Sequence, residues 1–117
     1  MRAIMVALII CVSASAVAKP VPNLVCTESR IVNVDPRSLS TQERESLVSY
    51  RFTGGSLYLT PVGQKGYRYN TVTEVEAGRY TTGHKVVQFE DTGFAAAILV
   101  HAYRDEVRVS RLSCKAQ

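Results

Sequence analysis

Val48-Ser49-Tyr50-Arg51-Phe52-Thr53-Gly54-Gly55-Ser56-Leu57-Tyr58-Leu59 is the stretch that decides the fold class. Val48, Tyr50 and Phe52 alternate with Ser49, Arg51 and Thr53, the period of two that places apolar side chains on one face of a strand. Gly54-Gly55 then supplies the positive φ of a two-residue hairpin turn, and Leu57 and Leu59 restart the apolar face on the return.

Outward from this hairpin, most of the chain reads as strand. Lys19-Pro20-Val21-Pro22 is a stiff lead-in, since proline fixes φ and donates no hydrogen bond. Leu24 to Val34 is β-rich and is broken by Asp35-Pro36. After the turn from Pro61 to Gly66, Tyr67 to Glu76 is dense in Tyr, Thr and Val. Turns at Ala77-Gly78, Gly83 and Glu90-Asp91-Thr92-Gly93 follow, with Val86 to Phe89 before the last of them. Phe94 to Tyr103 carries three successive alanines, a helical feature. Its neighbours and Ile98-Leu99-Val100 nonetheless predict a strand buried on both faces. In the last strand Val107 and Val109 differ in parity from Leu112 and Cys114, which predicts a β-bulge near Ser110-Arg111. One segment reads differently. Ser40-Thr41-Gln42-Glu43 matches the capping box and predicts a short helix through Leu47. The expected fold is all-β, a small antiparallel barrel or sandwich of about seven strands with one short helix.

The beginning of the chain reads as an export leader. Met1-Arg2 is followed by the apolar run Ala3 to Val12, and Ala16-Val17-Ala18 fits a cleavage site before Lys19. The run is shorter than the roughly 20 residues of a transmembrane helix, so no stable membrane span is expected after processing. Ile10, rather than a small residue, precedes Cys11, which argues against lipid attachment there. The reading is a leader over 1–18 and a single exported domain over 19–117, monomeric and periplasmic or secreted. Losing Cys11 leaves Cys26 and Cys114, an even pair that predicts one disulfide in an oxidising compartment. Such a bond requires the first and last strands to lie side by side.

The search for chemistry narrows the function classes. Formal net charge is +4, and Arg2 takes one unit away with the leader. The remaining charges are scattered, as in Glu43-Arg44-Glu45 and Arg104-Asp105-Glu106-Val107-Arg108, unlike the basic stripe of a nucleic-acid binder. Glu74 and Glu76 share a strand face but read as its wet side rather than a glycosidase pair. His84 and His101 have no acid or cysteine at metal-ligand spacing; His101 reads as a hydrogen-bonded core histidine and His84 as an exposed hairpin tip. With both cysteines bonded, no thiol nucleophile remains. No catalytic residue, metal or cofactor is expected, and the chain reads as a non-catalytic binding protein whose partner is another protein or an envelope component. The candidate binding loop joins Gly78, Arg79 and Tyr80 to His84 and Lys85, two glycine turns projecting basic and aromatic side chains.

Tyr50-Arg51-Phe52, Ala77-Gly78-Arg79-Tyr80 and Cys114 together resemble the periplasmic and membrane-bound inhibitors of c-type lysozyme. That resemblance implies a small exported β-barrel with a terminal disulfide, which inserts a Ser-Gly-x-x-Tyr turn and a lysine into the lysozyme cleft. Ala77 stands where that family has serine, Tyr80 arrives one residue early, and the family's lysine loop has no counterpart beyond the single residue Lys85. The alternative function is therefore inhibition of a glycan-cleaving enzyme through a basic loop.

Overall fold

The structure is a computed structural model that describes residues 20–117. The expected leader, its cleavage site and Cys11 lie outside the described residues. Ten strands occur in chain order: β1 (Leu24–Asp35), β2 (Ser40–Arg44), β3 (Val48–Thr53), β4 (Ser56–Pro61), β5 (Tyr67–Thr71), β6 (Thr73–Glu76), β7 (Arg79–Thr82), β8 (Lys85–Phe89), β9 (Ala96–Tyr103) and β10 (Glu106–Ala116). All pairings are antiparallel, in the order β5-β4-β3-β1-β10-β9-β8-β7-β6, with β2 attached to the lower half of β1. The sheet curls until β5 comes against β7, giving a nearly closed barrel. Side chains rather than a backbone ladder make this seam: the Tyr69 hydroxyl accepts the His84 N–H at 3.1 Å. Gly83 is required here, because its φ is +60° and a Cβ would lie 2.6 Å from the Tyr69 ring.

The hairpin read from the sequence is β3–β4, with Thr53 opposite Ser56 and positive φ at both Gly54 and Gly55. The terminal strands β1 and β10 pair along their length, and Cys26 and Cys114 are direct cross-strand partners joined by the expected disulfide. The bond therefore locks a pairing that the ladder already makes.

Several expectations are corrected. No helix occurs among the described residues, and the capping-box segment is strand β2, with every residue exposed. Leu39 and Leu47, the apolar residues of that expected helix, are 76% and 60% exposed. A two-turn helix with nothing to bury cannot stand on local bonds, whereas a hairpin from Ile31–Asp35 satisfies five residues of backbone at once. The count rises to ten because β2 is added, Arg79–Thr82 pairs as its own strand, and Tyr67–Glu76 divides at Val72 into β5 and β6. Phe94 to Tyr103 does contain strand β9, but Ile98 is 39% exposed, so only the Ala97–Leu99 face is buried. The bulge lies in β1 rather than β10. The β1–β10 register shifts between Ser29 and Val32, at Arg30 with φ +51°, while β10 runs unbroken against β9. Val107 and Val109 thus face outward, and Arg108, Ser110, Leu112 and Cys114 share the inner face.

The inner face is graded along the barrel axis. At the disulfide end, Leu24, Phe52, Leu57, Phe94, Ala97 and Leu112 form a core around Phe89. Phe89 meets Phe52, Tyr80 and Phe94 at centroid distances of 6.0, 5.8 and 4.9 Å, the last two edge to face. The other end is polar.

Candidate functional site

The polar end is built by register. Gln42 pairs with Asn33, Asn33 with Arg108, Arg108 with His101, His101 with Lys85, and Lys85 with Thr82. Because directly opposite residues share a face, these six residues on six strands form one polar row, exposed at Gln42 and running along the inner surface from Asn33 to Thr82. Lys85 and Thr82 are 2% and 1% exposed, and Asn33, His101 and Arg108 are half-buried.

Lys85 Nζ lies 2.8 Å from His101 Nδ1 and 4.9 Å above the Tyr69 ring. With Nδ1 accepting from the ammonium, the imidazole proton sits on Nε2, which faces Glu106 Oε1 at 3.5 Å. Burial, reinforced by the positive Arg108, pulls the Lys85 ammonium down to about 8; Glu28 and Glu106 oppose the shift. Burial, with Lys85 and Arg108, likewise holds His101 below the ordinary imidazole range.

One level deeper, Glu28 is buried and held by hydroxyls. Ser110 Oγ donates to Oε2 at 2.6 Å, the Tyr50 hydroxyl to the same oxygen at 3.4 Å, and Ser46 Oγ lies 3.2 Å from Oε1. Burial and the Glu28 charge push the Tyr50 phenol well above its usual range. This carboxylate is already solvated by protein, which is how a buried charge is tolerated.

The row itself is not fully satisfied. Asn33 Oδ1, Thr82 Oγ1 and Arg108 Nε are buried and have no hydrogen-bond partner among the described residues. All three belong to this single row. Buried polar atoms are nearly always paired, so three such atoms on one surface set this row apart from the rest of the inner face. A cleft lies at the Gln42–Asn33 end of the row. Its volume is about 380 Å³, within the usual range for ligand sites, and it is lined by Asn33, Asp35, Arg37, Ser40, Gln42, Asp105 and Glu106, together with Val34 and Thr41. Of the row, Gln42 and Asn33 line it, while Arg108, His101, Lys85 and Thr82 do not. At its rim Arg37 Nη2 approaches Asp105 Oδ2 at 3.6 Å, and the Arg37 N–H, donating to Asp35 Oδ1 at 2.9 Å, holds that carboxyl below its ordinary value.

The expected binding loop does not assemble. The Gly78 turn and the Gly83-His84 turn lie at opposite ends of β7. Arg79 points outward, ion-paired with Glu76 and donating from Nε to Gln88 Oε1 at 2.8 Å. Tyr80 is buried against Phe89, and burial with nearby Glu74 raises its phenol. His84 is exposed, as expected, with its ring 4.3 Å from that of Tyr103. Lys85 points inward rather than into solvent. Parity explains this: in Lys85-Val86-Val87-Gln88-Phe89 the lysine shares its face with Val87 and Phe89. That alternation was readable in the sequence. The contribution of Arg108, Thr82 and Asn33 was not, because their alignment depends on pairings between strands far apart in the chain.

Among the described residues no group of three or more His, Cys, Asp or Glu is arranged to hold a metal ion, and no helix is long and apolar enough to cross a membrane. Compared with family models, curated proteins and solved structures, the chain matches none.

Proposed function

We propose that this chain is a non-catalytic, exported binding protein that takes a small polar ligand into the polar end of its barrel. The observation that carries the reading is the row from Asn33 to Thr82, with its three buried, unpartnered polar atoms beside an open cleft. The leader-like residues 1–18 and the Cys26–Cys114 bond support export, since such bonds persist in oxidising compartments. The side chains of the row suit binding rather than turnover. Lys85 is tied to His101, Glu28 to three hydroxyls, and no serine, threonine or cysteine sits beside a free base in the row.

Native mass spectrometry of the protein, gently purified from the exported fraction, tests this directly. A small-molecule adduct is expected, retained by the wild type and lost in Arg108→Met. Absence of an adduct, together with no thermal stabilisation by any member of a panel of small polar metabolites, overturns the reading. The same preparation tested against c-type lysozyme addresses the inhibitor alternative, for which Arg79 and His84 are the outward-facing residues of the expected loop. Slowed lysozyme that is relieved by Arg79→Ala would favour that alternative over the interior site.

A further inference from the structure

Register also assembles a surface at the disulfide end, on the outside of the barrel. Lys115 pairs with Val25, Val25 with Arg51, Arg51 with Tyr58, and Tyr58 with Arg68. These residues lie far apart in the sequence, yet they form one outward row over β10, β1, β3, β4 and β5. The cations occupy every second strand, so neighbouring ones stand roughly 10 Å apart at their Cα atoms. A second row runs beside this one, two residues along each strand. In it Ser113 pairs with Thr27, Thr27 with Ser49, and Ser49 with Thr60, and all four are exposed. Neither row holds a carboxylate side chain. Among the described residues the ion pairs involve Arg37, Arg79, His101 and Arg111, and none of the three cations of this row.

The two arginines are positioned without being neutralised. Arg51 Cζ lies 4.8 Å over the Tyr58 ring. Arg68 Nε donates to Ser56 Oγ at 3.1 Å and its Nη2 to Thr71 Oγ1 at 2.9 Å. Tyr58 and Ser56 both belong to β4, so the two guanidinium groups lean toward that strand from either side, held by uncharged partners. Like charges fixed in this way gain by meeting an anion.

We infer that this outer face binds a linear, carboxylate-bearing polysaccharide, whose acid groups meet Arg51, Arg68 and Lys115 and whose hydroxyls meet the Ser113–Thr60 row. The inference is independent of the interior polar row. Planar guanidinium forks suit carboxylates, and the exposed serine and threonine hydroxyls can donate to and accept from sugar hydroxyls. A nucleic acid fits less well, because single strands need aromatic faces for stacking and the one ring of the row is half-buried beneath Arg51. A bilayer also fits less well. A flat surface meets a convex barrel along only part of a row that crosses five strands, whereas a flexible chain follows the curve.

Isothermal titration calorimetry of the oxidised protein tests this, with polygalacturonate, neutral dextran, polyglutamate, oligothymidylate and phosphatidylglycerol vesicles as probes. Saturable binding is expected with polygalacturonate, none with dextran, and binding weaker by about tenfold or more with the other three. Arg51→Gln combined with Arg68→Gln should weaken polygalacturonate about tenfold or more. Arg44→Gln combined with Arg104→Gln, which removes the same charge from exposed positions on β2 and in the β9–β10 turn, should leave it unchanged. Thr27→Val combined with Ser49→Ala should narrow the gap between polygalacturonate and polyglutamate. Unchanged thermal midpoints show that each variant is folded. If polyglutamate or oligothymidylate binds as tightly as polygalacturonate, the glycan is overturned in favour of any polyanion. If the vesicles alone bind, a membrane surface replaces it. Equal losses in the two arginine pairs overturn the site, and no binding of polygalacturonate overturns the inference as a whole.

Discussion

The two ends of this barrel share the same strands and are held by different physics. At the disulfide end, β1, β3, β8, β9 and β10 contribute Leu24, Phe52, Phe89, Ala97 and Leu112, all buried and without charge. Four residues along from Leu24, Phe89, Ala97 and Leu112 on their strands, the same inner face carries Glu28, Lys85, His101 and Arg108. The apolar end lowers the free energy by removing surface from water, roughly 25 cal/mol per Å². The polar end must instead desolvate charges, so its hydrogen bonds chiefly offset a cost. One end keeps the barrel folded, and the other carries the polar row on which the proposed binding function rests. That division of labour explains why unpartnered atoms are tolerated where they are: stability comes from the far end of the same strands.

Four measurements would break or sharpen this contrast. Phe89→Ala removes the ring at the centre of the aromatic cluster and is expected to destabilise by about 3–5 kcal/mol, read as a lower urea midpoint. A loss under about 1 kcal/mol would mean that the apolar end is not the stabilising one. Replacing Cys26 and Cys114 together with alanine is expected to lose about 2–4 kcal/mol, mainly by freeing an 88-residue loop in the unfolded chain. Because their ladder pairing persists without the bond, far-UV circular dichroism of the folded variant should be unchanged.

Lys85→Met tests the other end and has the opposite sign. The folded lysine titrates near 8 against an ordinary 10.5, so the unfolded state binds more protons between those values. Stability of the wild type from this group therefore rises with pH from about 8 to 10.5, and the buried ammonium costs most below pH 8. The variant should be more stable than wild type by about 1–3 kcal/mol at pH 7, and the gap should shrink by pH 10. A variant less stable at pH 7 would show that the Lys85–His101 contact outweighs desolvation. Arg79→Ala, which removes an exposed ion pair and an exposed hydrogen bond to Gln88, is expected to change stability by less than about 0.5 kcal/mol. A larger loss would place part of the fold's stability on the outer surface.

Much of the scaffold was legible before any coordinates. Alternation in Val48-Ser49-Tyr50-Arg51-Phe52, the Gly54-Gly55 turn and the two cysteines outside the leader-like segment, Cys26 and Cys114, point to the hairpin, the all-β class and the tied ends. Ser40-Thr41-Gln42-Glu43 misled because a capping box states only how a helix would begin, while Leu39 and Leu47 find no surface to cover. The parity of Leu112 and Cys114 is out of step with that of Val107 and Val109, yet the irregularity sits at Arg30 on the partner strand. The expected loop failed for a related reason: Tyr80 and Lys85 were grouped by closeness in the chain, whereas strand parity turns both inward.

By itself the sequence determined the local events: where strands run, where glycine turns them, and which two sulfurs are available to bond. Those depend on neighbours within a few residues, so they can be read in place. Only the tertiary structure decided that Asn33, Arg108, His101, Lys85 and Thr82 lie in one row, because register between distant strands is set by the whole barrel closing around its apolar end.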